Sequence, residues 1–96
     1  MLVLSLLEAR QRHGYEISKL IDERSGSRLE LQTASLYPIL YRLEQKGWVD
    51  ARWVEKAGER RRRFYRLTPS GKKVLERMRE TWLSFVEAIG AVIHHA

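Results

Sequence analysis

Cysteine is absent from this 96-residue chain. That excludes a disulfide framework, a thiolate metal site and a cysteine nucleophile, and it fits a cytoplasmic location. Long hydrophobic stretches are absent too. The longest apolar run, at Met1–Leu4, is broken at Ser5, and charge arrives at Glu8. No segment can span a bilayer, and the start lacks the basic region and cleavage site of a signal peptide, so no membrane partner is expected. No Ser-His-Asp arrangement, phosphate-cradling glycine loop or metal-ligand spacing is visible, so neither catalytic residues nor a cofactor or metal are expected. His94 and His95 are adjacent, so on a helix they point ~100° apart and do not form an i, i+4 metal pair. His13 reads as the closure of a turn, and Glu8, Glu16, Asp22 and Glu23 as solvated helix faces.

The residues present describe one folded domain. Hydrophobic residues make up 44% and charged residues 31%, a globular balance rather than a disordered one. The net charge of +6 is concentrated. Residues 1–51 carry seven basic and seven acidic side chains, whereas residues 52–79 carry eleven basic and three acidic ones. At the centre of that block stand Arg60, Arg61, Arg62 and Arg63, next to Phe64 and Tyr65. A localised basic block beside aromatic residues points to a polyanion, with nucleic acid favoured.

The pattern along the chain predicts four helices and a hairpin. Leu2, Val3, Leu4, Leu6, Leu7 and Ala9 form a short, deeply buried first helix ending near Arg12. Ile17, Leu20 and Ile21 give the i, i+3, i+4 stripe of a second helix over about Gly14–Arg24, stopped at Ser25-Gly26-Ser27. Leu29 and Leu31 alternate with charged residues, a short extended piece at most. Thr33 is a candidate cap for a third helix whose stripe is Leu36, Ile39, Leu40 and Leu43, ending at Lys46-Gly47. Pro38 fits only if that helix starts nearer Ser35 or bends. Trp48, Val49, Trp53 and Val54, a turn at Ala57-Gly58-Glu59, and a returning strand over 61–67 make a two-stranded hairpin with arginines near its tip. Trp48 and Trp53 are expected to pack at the core and the hairpin base. Thr68 or Ser70 caps a final helix of about residues 69–93. Its apolar positions Leu75, Met78, Trp82, Phe85, Ile89 and Val92 step by 3, 4, 3, 4, 3, a coiled-coil seam that needs a second copy of the helix.

This order predicts a mainly α (α+β) fold: a winged helix-turn-helix over 1–68 and a dimerisation helix over 69–96, together one compact unit. The third helix would bury its stripe and turn Thr33, Ser35, Tyr37, Pro38, Tyr41 and Arg42 to a major groove, with the wing arginines on backbone or minor groove. Tyr37 and Tyr41 either touch DNA or pack between helix and wing.

His13-Gly14-Tyr15-Glu16, Ser35-Leu36-Tyr37-Pro38-Ile39-Leu40, Arg42-Leu43-Glu44, Gly47-Trp48-Val49 and Tyr65-Arg66-Leu67-Thr68 with Gly71 run through nearly the whole chain. Together they resemble the PadR family of bacterial transcriptional regulators, in its short-tailed branch with a single C-terminal helix. The resemblance implies a homodimer bound to double-stranded operator DNA, usually a repressor released by a ligand or signal. It implies Tyr15 at the DNA backbone, Ser35, Tyr37, Pro38 and Arg42 at the groove, and the wing from Lys56 through Arg60, Arg61, Arg62 and Arg63 on phosphates. The chain departs from the family pattern in two ways: members often have helix 1 residues ahead of the apolar run seen here, and four consecutive arginines make a wing more basic than usual, with some expected to serve non-specific attraction only. Trp82 resembles the pore tryptophan of members that sense planar aromatic or cationic compounds between subunits, with Met78 and Phe85 lining the same region; its alternative is a plain interface tryptophan. Two readings from other classes stand beside an operator reader: a winged helix that holds nucleic acid without reading its sequence, and a protein-interaction module.

Overall fold

The computed structural model describes residues 1–55 and 57–94. Its elements are α1 (Leu2–Ala9), β1 (Arg12–His13), α2 (Gly14–Arg24), α3 (Thr33–Gln45), β2 (Val49–Val54), β3 (Arg62–Leu67) and α4 (Pro69–His94). The strands form one antiparallel sheet in the order β1-β3-β2. Among the described residues, no helix is long and apolar enough to cross a membrane.

One core joins the inner faces of the four helices and of β2 and β3. Leu4, Ile17, Leu36, Leu40, Val49 and Leu75 are sealed from solvent, and Val3, Leu6, Leu7, Ile21, Tyr65 and Val74 close around them. Buried side chains of this kind each stabilise the fold by roughly 1.5–3 kcal/mol relative to exposure. The expected stripe of α3 divides accordingly: Leu36 and Leu40 are buried, and Ile39 and Leu43 pack at the margin.

Helix 1 ends earlier than its composition predicts. The chain leaves the helix at Arg10 in an extended conformation, and Arg12 and His13 pair with Tyr65 and Phe64 as a third strand. The Arg12 guanidinium folds back to donate from Nε to the Leu6 carbonyl at 2.7 Å. It thereby satisfies a helix-end acceptor that the missing turn would have used. Glu16 accepts from both Arg10 and Arg12, so it is a partly buried counter-ion rather than a solvated residue. Glu8 likewise takes both contacts from Arg79 Nη1, at 2.9 Å, and ties α1 to α4.

The stop at Ser25-Gly26-Ser27 forms as expected, with φ of 63° at Gly26 and at Ser27. The Ser27 N–H reaches back to the Asp22 carbonyl at 2.8 Å. Leu29 and Leu31 do not form a strand; nothing pairs with their backbone among the strands of the sheet. Thr33 does not cap α3. The N-cap is Gln32, without a side-chain bond, because the helix begins one residue earlier than a Thr33 cap requires. Pro38 therefore lies inside the helix, where its missing N–H leaves the Ala34 carbonyl without a helical donor. Both residues are on the exposed face, so this carbonyl is not an acceptor buried without a partner. Thr68 caps α4, accepting from the Gly71 N–H at 3.0 Å.

Candidate nucleic-acid interface

Two elements build the exposed basic face. The first is the outer side of α3, where Ser35, Tyr37, Pro38, Tyr41 and Arg42 are all exposed and Thr33 is half-buried. The side chains that anchor α3 are the opposite-facing Leu36 and Leu40, so burial of the stripe fixes the exposure of this set. The second is the wing of β2 and β3, in register from Val49↔Leu67 to Val54↔Arg62.

Strand alternation sorts the wing arginines onto two faces. Trp53 pairs directly with Arg63. The Arg61 and Arg63 guanidiniums lie over the Trp53 ring, at 4.7 and 5.8 Å from its centre. Arg62 turns to the other face, where its Nη1 is 3.2 Å from His13 Nε2. The four arginines that look equivalent in sequence are thus not equivalent in space. Arg63 is further committed: it donates to Glu44 Oε1 at 2.7 Å, bracing the wing against the last turn of α3.

A groove of about 570 Å³ runs between these elements, lined by His13, Gly14, Tyr15, Tyr37, Trp53, Tyr65 and Arg60–Arg63. Tyr15, Tyr37 and four wing arginines named from the sequence therefore border one groove, Arg61 and Arg63 from the Trp53 side and Arg62 from the His13 side. Ser35, Pro38 and Arg42 are exposed on α3 but do not line this groove. Lys56 lies outside the described residues.

Tyr37 has two contacts to account for. Half of it is exposed, while its ring packs against Gly14, where an added Cβ would sit 3.0 Å from the hydroxyl. Both roles left open by the sequence are compatible with this placement. Tyr65, buried at the groove floor, has its phenol pushed above the ordinary value by desolvation. His13 sits where wing and α2 meet. Its Nδ1 accepts from the Glu16 N–H at 3.2 Å, capping α2, and its ring meets Phe64 edge-on at 5.3 Å. Burial first, and the Arg62 charge second, hold its pKa below the ordinary value. With Nδ1 accepting, the neutral ring carries its proton on Nε2, so Arg62 meets a donor there rather than an acceptor.

Sequence reasoning misplaced Trp53. It is 54% exposed instead of packing at the wing base, because the strand has already passed the edge of the core at Ala51. Trp48 does pack against the core. The Glu44–Arg63 brace was also missed; only the alternation of β3 could have shown which arginine faces α3.

The apolar positions of α4 divide as well. Leu75 is 0% exposed and cannot be an interface residue, because the first two turns of α4 lie against the core. Met78 is transitional, packed at the core's margin. Beyond it, Trp82, Phe85, Ile89 and Val92 are exposed, joined by Leu83, Val86 and Ile93. Met1, Trp48, Val74, Arg77, Met78, Thr81, Trp82 and Phe85 line a shallow, open hollow of about 700 Å³ where α4 leaves the domain. Among the described residues, no group of acidic and histidine side chains is placed to hold a metal.

A helix, a short strand, two further helices and a basic hairpin in this order, with the third helix presented beside the hairpin, define a winged helix-turn-helix protein with a long C-terminal helix. Residues 3–77 match the Transcriptional regulator PadR-like family. The chain belongs to that family, whose members are transcriptional regulators and not enzymes. A transcriptional regulator from Clostridium thermocellum is similar at 32% identity and a TM-score of 0.84, over 93% of this chain and 84% of that one. A PadR family transcription regulator from Clostridium difficile is 32% identical with a TM-score of 0.80, over 93% and 90% of the two chains. Bacillus subtilis PadR, solved in complex with operator DNA, is 28% identical with a TM-score of 0.71, over 85% of this chain and 44% of that one. Among curated sequences, an uncharacterized protein X of Lysinibacillus sphaericus is 32% identical over 92% of this chain and 81% of its own length.

Proposed function

We propose that this protein is a homodimeric regulator that reads a two-fold operator in double-stranded DNA, acting in the cytoplasm as a repressor. The observation that carries the reading is the shared concave surface of α3 and the wing, where Tyr37 and Tyr15 lie beside four arginines. In this reading Ser35, Tyr37, Pro38 and Arg42 face base edges in the major groove, and the wing holds phosphates. The operator complex of Bacillus subtilis PadR supports it by similarity.

In this reading residues 1–68 form the DNA-binding part and α4, over Pro69–His94, is the dimerisation helix; the last two residues of the expected 69–96 segment lie outside the described residues. Support comes from Trp82, Phe85, Ile89 and Val92, which stand exposed along one face of α4. So large an apolar face on an unaccompanied helix calls for a partner, and a second copy satisfies it with an isologous interface. Release by a planar aromatic or cationic compound is the accompanying proposal. The hollow beside Trp82, Met78 and Phe85 offers an apolar lining for such a ligand, which would act by binding one arrangement of the dimer more tightly than the other.

Selection from a random duplex pool at about 150 mM salt, where weak phosphate-only binding is screened, tests the reading. An enriched inverted repeat with half-sites ~10 bp apart, or a multiple, is expected. On that site Tyr37→Ala and Arg42→Ala erode sequence preference, while Arg61→Ala weakens binding to all DNA and lowers the salt slope by about 1. Equal losses on every duplex from both kinds of variant would replace the operator reader with a non-specific nucleic-acid binder. Retained folding without DNA binding would leave a protein-interaction module.

A further inference from the structure

The exposed indole of Trp53 has no structural duty that explains it. It contributes little to the core, and a 54% exposed tryptophan on a hairpin is an unfavourable surface for a soluble domain. What touches it is cationic. Arg63 lies directly across the strand pair, and Arg61 is its diagonal neighbour, close enough for an aromatic ring to reach. Both guanidiniums lie over the ring.

The two arginines are not in the same state. Arg63 is neutralised by Glu44 and held to α3 at 2.7 Å. Arg61 makes no ion pair among the described residues. The chain of contacts Glu44–Arg63–Trp53–Arg61 therefore runs from the reading helix to one free cation, and Trp53 is the link that fixes where that cation stands. A long arginine side chain left free in water would lose considerable rotamer entropy on entering a groove. One already extended along an indole has lost part of that freedom beforehand.

Resting on the operator-reading proposal, we infer that Trp53 is a positioning residue for specificity: it holds Arg61 for insertion into the minor groove beside the half-site read by α3. A cation at that place responds to groove width, since a narrow A·T-rich minor groove has enhanced negative potential. Trp53 thus confers a preference for A·T-rich flanking sequence at base pairs that α3 does not touch. Arg63 serves as the brace and not as a phosphate ligand.

The test measures binding of the full chain to duplexes that share the selected half-sites and differ only in flanks, A·T-rich against G·C-rich. The wild type should favour the A·T-rich flank. Trp53→Ala should shrink that ratio by about 2- to 5-fold, the range of an exposed cation–π contact, and leave the preference for the half-site itself intact. Trp53→Phe should retain part of the ratio. Arg61→Ala should abolish it, and adding Trp53→Ala to Arg61→Ala should change nothing more.

A wild type indifferent to flanks overturns the inference, as does a Trp53→Ala protein that keeps the full ratio. Loss of affinity from Trp53→Ala on both flanks alike, persisting in the Arg61→Ala background, would also overturn it by making the indole itself a DNA contact. Failure of the operator reading looks different: the wild type would then fail to prefer the half-site over a scrambled one, whatever the flanks.

Discussion

Gly71 stands against the carbonyl of Trp48 so closely that a Cβ added there would lie 2.0 Å from the carbonyl oxygen. The start of α4 is locked to the turn after α3 by this approach and by two hydrogen bonds, Thr68 N–H to Trp48 O at 3.1 Å and Thr68 Oγ1 to Gly47 O at 2.7 Å. Backbone on both sides cannot retreat as a side chain would. Gly71→Ala should destabilise the protein by about 3 kcal/mol, read as a lower denaturant midpoint. Ser70→Ala, on the exposed side of the same turn, should stay within about 0.5 kcal/mol of wild type.

Arg12 is 7% exposed and depends on Glu16 for its counter-charge. Glu16→Ala leaves that guanidinium with only the Leu6 carbonyl, so a loss of about 2 kcal/mol is expected. Arg12→Met, which removes the charge and keeps much of the volume, should cost less than Glu16→Ala. The reverse order in chemical denaturation would show that the Arg12 bond to Leu6 outweighs the ion pair.

His13 predicts the pH behaviour. Its folded-state pKa lies below the ordinary 6.5 because of burial, then Arg62, with Glu16 acting in the opposite direction and Arg10 adding a small lowering. Below pH 6.5 the unfolded chain binds more protons at this site than the folded one, so stability is lost as pH falls through the window beneath 6.5. Above 6.5 the contribution is fully present. Asparagine also caps helices through a side-chain oxygen, so His13→Asn should keep α2 while removing this slope. Unfolding midpoints at pH 7.5 and 5.5 check it: the wild-type drop between them should shrink in the variant.

The exposed face of α4 predicts assembly. Phe85→Glu and Ile89→Glu should leave helix content unchanged, since neither side chain belongs to the core, and should reduce the sedimenting mass to that of a single chain. Operator affinity should fall with it, because two half-sites then no longer bind as one unit. A variant that remains dimeric would place the interface elsewhere.

Much of this architecture was legible in residue periodicity. The stripe of Leu36, Ile39, Leu40 and Leu43 states which side of α3 is inside, and by elimination which residues are outside. The glycine at 26 and the cap at Thr68 announced their turns through local chemistry. What stayed hidden needed distance in space. Arg12 and His13 become a strand only because Tyr65 and Phe64 arrive about fifty residues later, and two residues carry no alternation to detect. Leu75 shares its heptad spacing with Trp82 and Ile89, yet the core claims it; periodicity gives a face but not where along the helix the neighbour changes. The run of arginines concealed a partition that only the register of β3 reveals.

The Glu8–Arg79 contact and the locked turn at Gly71 hold the root of α4 at two places, on α1 and beside the end of α3. The chain accordingly has no soft joint between the helix that extends from the domain and the helix presented beside the wing. In a symmetric pair, the crossing angle of the two long helices becomes a ruler for the separation of the two α3 helices, and a tilt of a few degrees at the far ends is passed on as displacement instead of being absorbed.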